Sequence, residues 1–162
     1  MTPFRLVFIC TGNICRSPTA EAVMRALVHK DGLSDRYPVD SAGTSDFHDG
    51  EGIDPRAAQI AQAHGYDTTG IRARAVRADD FLATGIMFAM TREHLRFLEA
   101  MAQTIDAQKR RCRLALFAEG LPEPYPLDVP DPYYGGQKGF EDVLTMIEAG
   151  CQHHWQTIKD HA

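Results

Sequence analysis

The sequence lacks long hydrophobic runs, an excess of basic residues and closely paired cysteines, and each absence excludes a class of protein. No apolar stretch in the 162 residues approaches the roughly 20 that a membrane-spanning helix requires. The apolar segment at residues 6–9 is too short for the core of a secretion signal, and it runs directly into Cys10-Thr11-Gly12. We therefore expect a cytoplasmic protein that does not associate with membranes.

The charge and the cysteines exclude two further classes. A formal net charge of -5 argues against nucleic acid as a main partner, because binding to a phosphate backbone relies on clustered Lys and Arg. The four cysteines form no Cys-x-x-Cys pair, which disfavours a structural zinc site. The stretch Cys151-Gln152-His153-His154 could supply metal ligands, but it is more simply part of a helix, so we expect no metal and no cofactor.

The sequence does contain an alternation of strands and helices, over a length typical of one domain, residues 1–162. Short apolar runs predict strands at residues 5–10, 39–42, 86–90 and 114–117. Helices are predicted over residues 18–29, from a cap at Asp54 to a stop at Gly65, after a cap at Thr91, and over residues 139–158. This order indicates an α/β fold: a four-stranded parallel sheet with helices on both faces.

Two positions in this fold are expected to carry function. Ligands of such folds bind beyond the carboxyl ends of the strands, and the first strand ends at Cys10. Residues 119–136 are rich in Pro, Gly and Asp, which predicts a long loop, and long loops within a compact domain tend to be functional. Chemistry is therefore expected at Cys10, with this loop as a second functional segment.

The segment Cys-Thr-Gly-Asn-Ile-Cys-Arg-Ser-Pro at residues 10–18 predicts a phosphate-binding loop after the first strand. Between a strand and a helix, successive backbone N–H groups face one concavity, and the helix dipole adds to their attraction for an anion. Gly12 and Asn13 tolerate the positive φ values that such a loop can require. The guanidinium of Arg16 can bind two phosphate oxygens at once.

The same surroundings make Cys10 a candidate nucleophile. A helix N-terminus and an arginine favour the thiolate form of a nearby cysteine. Ser17 could donate a hydrogen bond to that sulfur or cap the following helix, and capping is the simpler role. A buried strand cysteine followed by an ordinary turn is the alternative for the whole segment, although none of the other three cysteines has an arginine six positions later.

Together with four further motifs, this segment resembles the low-molecular-weight protein tyrosine phosphatase family. The other motifs are Ser-Ala-Gly-Thr at 41–44, Asp-Pro-Arg-Ala at 54–57, Ala-Arg at 73–74 and Asp-Pro-Tyr-Tyr-Gly at 131–135. Their order and spacing are kept over nearly the full chain. The resemblance implies a single phosphatase domain that hydrolyses phosphotyrosine in proteins, and other aryl phosphates, and releases inorganic phosphate.

The resemblance also implies the roles of three catalytic residues. Cys10 would attack phosphorus and form a phosphocysteine intermediate, while Arg16 would hold the phosphate oxygens. Composition alone leaves Asp128 and Asp131 equally good as general acids. The family motif selects Asp131, which would protonate the leaving group and then activate water.

Further residues are implied to shape the loop or to contact the substrate. The loop residues are Thr11, Gly12, Asn13, Ile14, Cys15 and Ser17, with Ser41 supporting them from outside. The aromatic candidates for substrate contact are Phe47, Tyr133 and Tyr134, and packing in the core or loop is the alternative for the two tyrosines. His48 is expected to be simply exposed.

The resemblance suggests one regulatory feature, and the sequence departs from the family at two positions. A disulfide between Cys10 and Cys15 would inactivate the enzyme reversibly, unless Cys15 is only a small packing residue. Ile71 stands near the place where many relatives have a histidine, which would leave a smaller polar network under the loop. Thr91 stands where relatives often carry an aspartate.

Two rival functions stay open. An arsenate reductase built on the same fold would need a relay of cysteines, but Cys112 and Cys151 lie far along the sequence and no extra pair follows the third strand. A non-catalytic phosphotyrosine-binding module would lack the nucleophile or the acid, whereas Cys10 and Asp131 are both present.

Overall fold

The computed structural model describes residues 2–160 and places four parallel strands in one sheet. The strands are β1 (Leu6–Cys10), β2 (Val39–Gly43), β3 (Ile86–Ala89) and β4 (Arg113–Leu116). The helices are α1 (Arg16–Lys30), α2 (Pro55–Ala63), α3 (Asp80–Ala83), α4 (Arg92–Ala102) and α5 (Gly136–Asp160), and a short 3-10 helix (Pro132–Tyr134) precedes α5. The predicted α/β fold with a four-stranded parallel sheet is confirmed.

The central strand β1 is buried along its whole length because helices cover both faces of the sheet. The strand order is β2-β1-β3-β4. Successive side chains of a strand point to opposite faces. Phe8 therefore packs with Met24 of α1 and Ile147 of α5. Ile9 packs on the other face with Leu98 of α4.

The chain changes direction across the sheet at β1, which opens a crevice at the carboxyl ends of β1 and β3. From β1 the chain passes to β2 on one side and then crosses to β3 on the other. Helix α1, which follows β1, packs on one face, and α4, which follows β3, packs on the opposite face. The loops that leave these neighbouring strands therefore diverge, and ligands of open α/β sheets bind at such a point.

Two predicted helix caps are confirmed and one is wrong. The side chains of Asp54 and Thr91 each accept a hydrogen bond from a backbone N–H in the first turn of α2 and α4, respectively. Ser17 does not cap α1, because the helix begins one residue earlier and its N-cap residue is Cys15. The buried Ser17 hydroxyl is thus available for other contacts.

The remaining boundaries differ from the predicted ones by a few residues. Helix α5 begins at Gly136 rather than at residue 139, and the short helix α3 was not predicted. None of the helices within residues 2–160 is both long and apolar enough to cross a membrane.

Candidate active site

A cleft of about 450 Å³ opens at the carboxyl end of β1. Its lining comes from the loop after β1, the loop after β2 and the loop before α5. The lining residues are Cys10, Thr11, Gly12, Ile14, Cys15, Arg16, Ser45, Phe47, His48, Asp131 and Tyr133. The predicted phosphate loop, the predicted acid and two of the three aromatic candidates therefore share one cleft; the Tyr134 side chain lies outside the described part of the chain.

Asn13 holds the loop after β1 in shape. Its φ of 58° lies in the left-handed region, which asparagine tolerates better than most residues. Nδ2 donates to Oγ of Ser17 at 2.8 Å and to Oγ of Ser41 at 2.9 Å, and Oδ1 accepts from the backbone N–H of Arg74 at 3.0 Å. The Asn13 amide is therefore satisfied without a histidine at position 71, where the side chain of Ile71 is buried.

Behind Asn13, the polar network continues to a buried carboxyl group. The Ser41 hydroxyl donates to Oε1 of Glu21 at 2.6 Å, and Oε2 of Glu21 lies 2.5 Å from Nη2 of Arg25. Burial raises the pKa of Glu21, although the hydrogen bond from Ser41 opposes this shift. Glu21 was not predicted as a site residue; a lone acidic residue among the buried positions of α1 is the signal that could have revealed it.

Cys10 ends β1 and is almost fully buried at the base of the cleft. Its Sγ lies 2.9 Å from Oγ of Ser17. Because Ser17 accepts its hydrogen bond from Asn13, its own proton is free to bind either the sulfur or the Ala42 carbonyl, which is 3.4 Å away. The shorter contact favours the sulfur, where an O–H donor stabilises a thiolate. The contact to sulfur is thus the role of Ser17 that the geometry favours, rather than the helix cap.

Arg16 connects the phosphate loop to the segment that carries Asp131. The Arg16 side chain is buried, and Nη1 donates to the carbonyl of Val129 at 3.1 Å. Nη2 lies 3.8 Å from Oδ2 of Asp131. The Asp131 carboxyl is about half exposed to the cleft, with 45% of its side chain accessible, so it can exchange protons with a bound ligand or with water.

The geometry favours Asp131 over Asp128 as the acid. The Asp128 carboxylate accepts three hydrogen bonds from Arg92: from the backbone N–H at 2.8 Å, from Nε at 3.2 Å and from Nη2 at 3.0 Å. These contacts lower the pKa of Asp128, which disfavours the protonated form that a general acid needs. Asp131 also lines the cleft, whereas Asp128 is not among the lining residues.

The side chain of Arg56 holds Tyr133 at the rim. Nη1 of Arg56 donates to the Tyr133 carbonyl at 3.2 Å, and the guanidinium lies 5.0 Å from the centre of the tyrosine ring. Asp54 accepts from Nη2 of Arg56 at 3.1 Å and fixes its direction. About half of Tyr133 is accessible at the rim of the cleft.

Phe47 and His48 line the cleft from the loop after β2. Phe47 is 83% exposed, which is unusual for so large an apolar side chain. The expectation for His48 is wrong, because its ring packs on the phosphate loop: a Cβ at Gly12 would lie only 2.9 Å from Cδ2 of His48. Nδ1 of His48 lies 2.6 Å from Oε2 of Glu51, which orients the ring.

Cys15 brings a second sulfur into the loop. It is mostly buried and lines the same cleft as Cys10. Burial, with a contribution from the charge of Asp54, raises the pKa of Cys15 to about 12. Cys15 is therefore a neutral thiol near pH 7.

Comparison with known proteins agrees with this geometry. Residues 5–162 match the family model described as low molecular weight phosphotyrosine protein phosphatase. A low molecular weight protein-tyrosine-phosphatase of Streptomyces coelicolor is 44% identical over 146 residues, which cover 90% of this chain and 88% of that protein.

Solved structures show the same relationship. The crystal structure of a protein tyrosine phosphatase from Entamoeba histolytica superposes with a TM-score of 0.86 at 33% identity, covering 98% of each chain. An arginine phosphatase from Drosophila superposes with a TM-score of 0.87 at 32% identity, covering 95% of this chain and 97% of that one. By sequence and by structure, the chain belongs to the low molecular weight phosphotyrosine protein phosphatase family.

Proposed function

We propose that this protein hydrolyses phosphotyrosine in proteins, and other aryl phosphate monoesters, with Cys10 as nucleophile, Arg16 as phosphate ligand and Asp131 as general acid and base. The observation that carries the proposal is their convergence: all three line one cleft, with the Cys10 sulfur 2.9 Å from a serine hydroxyl at its base. Membership of the phosphatase family supports the same assignment.

The first step transfers the phosphoryl group to the enzyme. The phosphate binds in the loop after β1, where backbone N–H groups and Arg16 hold its three equatorial oxygens. The Cys10 thiolate attacks phosphorus, an S–P bond forms, and the bond from phosphorus to the phenolic oxygen breaks. Asp131 gives its proton to that oxygen, so tyrosine leaves as a neutral phenol.

The second step returns the enzyme to its starting state. The Asp131 carboxylate takes a proton from water while the water oxygen attacks phosphorus, and the S–P bond breaks. Inorganic phosphate is released and Cys10 leaves as a thiolate, which the Ser17 hydroxyl stabilises. Charge on the phosphoryl group is balanced throughout by Arg16 and the loop N–H groups, so the proposal requires no metal ion.

The aromatic rim supports an aryl substrate. Phe47 and Tyr133 both line the cleft and both are exposed residues. Stacking of a substrate ring on such side chains is favourable by about 0.5–1.5 kcal/mol beyond the area that it buries. An aliphatic phosphate such as phosphoserine has no ring to stack, so phosphotyrosine is the expected protein substrate.

The proposal is tested by hydrolysis of 4-nitrophenyl phosphate and a phosphotyrosine peptide by the reduced protein, with and without EDTA. Activity should resist EDTA. It should vanish in Cys10→Ser, and kcat should fall about 10²–10⁴-fold in Asp131→Asn. Cys112→Ser and Asp35→Asn are matched controls, because neither residue lines the cleft, and both should retain activity.

Two results would contradict the proposal. One is a reduced wild-type protein without activity toward either substrate. The other is a Cys10→Ser variant that stays active. A phosphoarginine peptide belongs in the same assay, since one structural neighbour is an arginine phosphatase. If the protein hydrolyses that peptide faster than the phosphotyrosine peptide, phosphoarginine and not phosphotyrosine is its substrate class.

A further inference from the structure

We propose that the first turn of α4 is a positioning element for catalysis, in which His94 fixes the phosphate loop and Arg92 fixes the segment that carries Asp131. This inference rests on the proposed function, because it assigns the spacing between that nucleophile and that acid to residues outside the reacting groups.

The sheet topology brings this turn to the cleft. Helix α4 follows β3, which lies directly beside β1, so its N-terminus stands next to the loop after β1. The Thr91 hydroxyl accepts from the backbone N–H of His94 at 3.1 Å and holds the turn in shape. The backbone N–H of Val129 donates to the carbonyl of Met90 at 2.9 Å, so the acid loop passes the same point.

On the nucleophile side, the contact runs from His94 to the residue after Cys10. Nε2 of His94 lies 2.8 Å from Oγ1 of Thr11. His94 is 4% exposed, whereas Thr11 is exposed and would otherwise give its hydroxyl group to water. The contact therefore restrains a residue of the phosphate loop that lines the cleft next to Cys10.

The surroundings of the His94 ring determine which nitrogen carries the proton and whether the ring is charged. Nδ1 is buried and has no hydrogen-bond partner among residues 2–160. An orphaned N–H is rarer in proteins than an orphaned acceptor, which assigns the ring proton to Nε2 as donor to Thr11. Burial, and then the charge of Arg16, lowers the pKa of His94 to about 4, so the ring is neutral near pH 7.

A histidine at this position is not explained by stability. A buried nitrogen without a partner is destabilising, and an apolar side chain of similar size would fill the same space without that cost. A leucine could pack there, but it could not bind Thr11. The contact to the phosphate loop is the feature that only a polar side chain supplies.

On the acid side, the same turn holds the loop before α5. Arg92 makes three hydrogen bonds to Asp128, three positions before Asp131. Arg16 binds the carbonyl of Val129, the next residue along. One turn of helix thus contacts both catalytic segments, and misplacement of reacting groups by about 1 Å can cost about 10²-fold in rate.

The two contacts predict different kinetic signatures, which a residue that only stabilised the fold would not produce. Loss of the His94 contact disturbs the phosphate cradle, so kcat should fall by a similar factor for every substrate. Loss of the Arg92 contact disturbs the acid, so kcat/KM, which reports the step that expels the leaving group, should fall most for substrates whose leaving group needs protonation. The comparison of 4-nitrophenyl phosphate with phenyl phosphate separates the two.

The test uses the full chain and these two substrates. His94→Leu should lower kcat about tenfold on both, and His94→Gln, whose amide reaches the position of Nε2, should restore most of it. Thr11→Val should reproduce the loss, and adding His94→Leu to it should cost little more, because both changes remove one contact. Arg92→Met should lower kcat/KM about tenfold on phenyl phosphate and less than threefold on 4-nitrophenyl phosphate. His29→Leu and Arg77→Met are matched exposed controls.

Circular dichroism melting establishes that each variant is folded. Folded His94→Leu and Arg92→Met proteins with wild-type kcat and kcat/KM on both substrates would overturn the inference and leave the proposed function standing. Equal losses in His94→Leu and His94→Gln would also overturn it, because the hydrogen bond would then not be the cause. An inactive wild-type protein in the same assay would instead refute the proposed function.

Discussion

The left-handed backbone conformation of Asn13 predicts how substitutions at this position change the stability of the protein. Asn13 has a φ of 58°, and its side chain makes hydrogen bonds to Ser17, Ser41 and the backbone of Arg74. Replacement by glycine removes the hydrogen bonds but keeps the backbone unstrained. Replacement by alanine removes the same hydrogen bonds and adds strain at this φ.

The magnitudes follow from the contacts. Three hydrogen bonds at about 1 kcal/mol each give a loss of about 3 kcal/mol in the free energy of unfolding for Asn13→Gly. The left-handed conformation costs a residue with a Cβ about 1–2 kcal/mol relative to glycine. Asn13→Ala should therefore be less stable than Asn13→Gly by about 1 kcal/mol, although alanine is the more stabilising of the two at ordinary helical positions.

Urea unfolding at pH 7 measures both differences, with the midpoint shifting while the slope stays constant. Both variants should also have a reduced kcat, because the loop loses its support. An alanine variant at least as stable as the glycine variant would refute the assigned backbone conformation. A loss below about 1 kcal/mol in both would refute the stabilising role of the network.

Three shorter predictions concern the rest of the molecule. Peroxide should inactivate the enzyme, and dithiothreitol should restore it in the wild type but not in Cys15→Ser, if a disulfide to Cys15 protects Cys10 from further oxidation; full recovery of that variant contradicts the disulfide. Phe47→Ala should raise KM for aryl phosphates about three- to tenfold, because it removes binding that does not change during the reaction; an unchanged KM contradicts the rim assignment. His154 donates to the Phe117 carbonyl, and burial lowers its pKa to about 4. Between pH 6.5 and 4 the unfolded chain binds a proton at His154 that the folded chain does not, so stability should fall through this window by up to about 3 kcal/mol, and His154→Gln should lose that part of the pH dependence in urea titrations.

The parts of the fold that could be predicted are those with local signals. The strand at Leu6–Cys10 is a short apolar run that ends before a glycine, and the structure places β1 there. Asp54 and Thr91 are caps because their side chains bond to backbone only two or three residues away. A helix cap is a contact between residues that are close in the chain, so a few adjacent residue types are enough to predict it.

The parts that could not be predicted depend on contacts between distant segments. The local sequence predicts that Ser17 is a helix cap. The contact of its hydroxyl group with the Cys10 sulfur depends on how the loop folds back on Cys10. The local sequence predicts that His94 is an ordinary helix residue. Its partner Thr11 lies 83 positions away, and the pairing of β1 with β3 brings the two residues together. Glu21 likewise joins the site through Ser41 of a neighbouring strand.

The choice between two acids illustrates the same limit. Composition cannot separate Asp128 from Asp131, since both lie in one polar loop. The structure separates them by the ion pair between Arg92 and Asp128, which spans 36 positions. In these four examples, a polar residue placed among apolar neighbours, or an acid with a distant arginine, is the kind of signal that marks a long-range contact.

The central claim, a covalent phosphoenzyme at Cys10, is tested most directly by trapping. Asp131→Asn should slow hydrolysis of the intermediate, because water then lacks its general base. The variant is mixed with 4-nitrophenyl phosphate, quenched, digested and analysed by mass spectrometry. The predicted result is one phosphate on the peptide that contains Cys10, with none in the Cys10→Ser/Asp131→Asn double variant. Turnover by the wild type with the phosphate on another residue, or with no phosphorylated peptide in the quenched variant, would contradict the account.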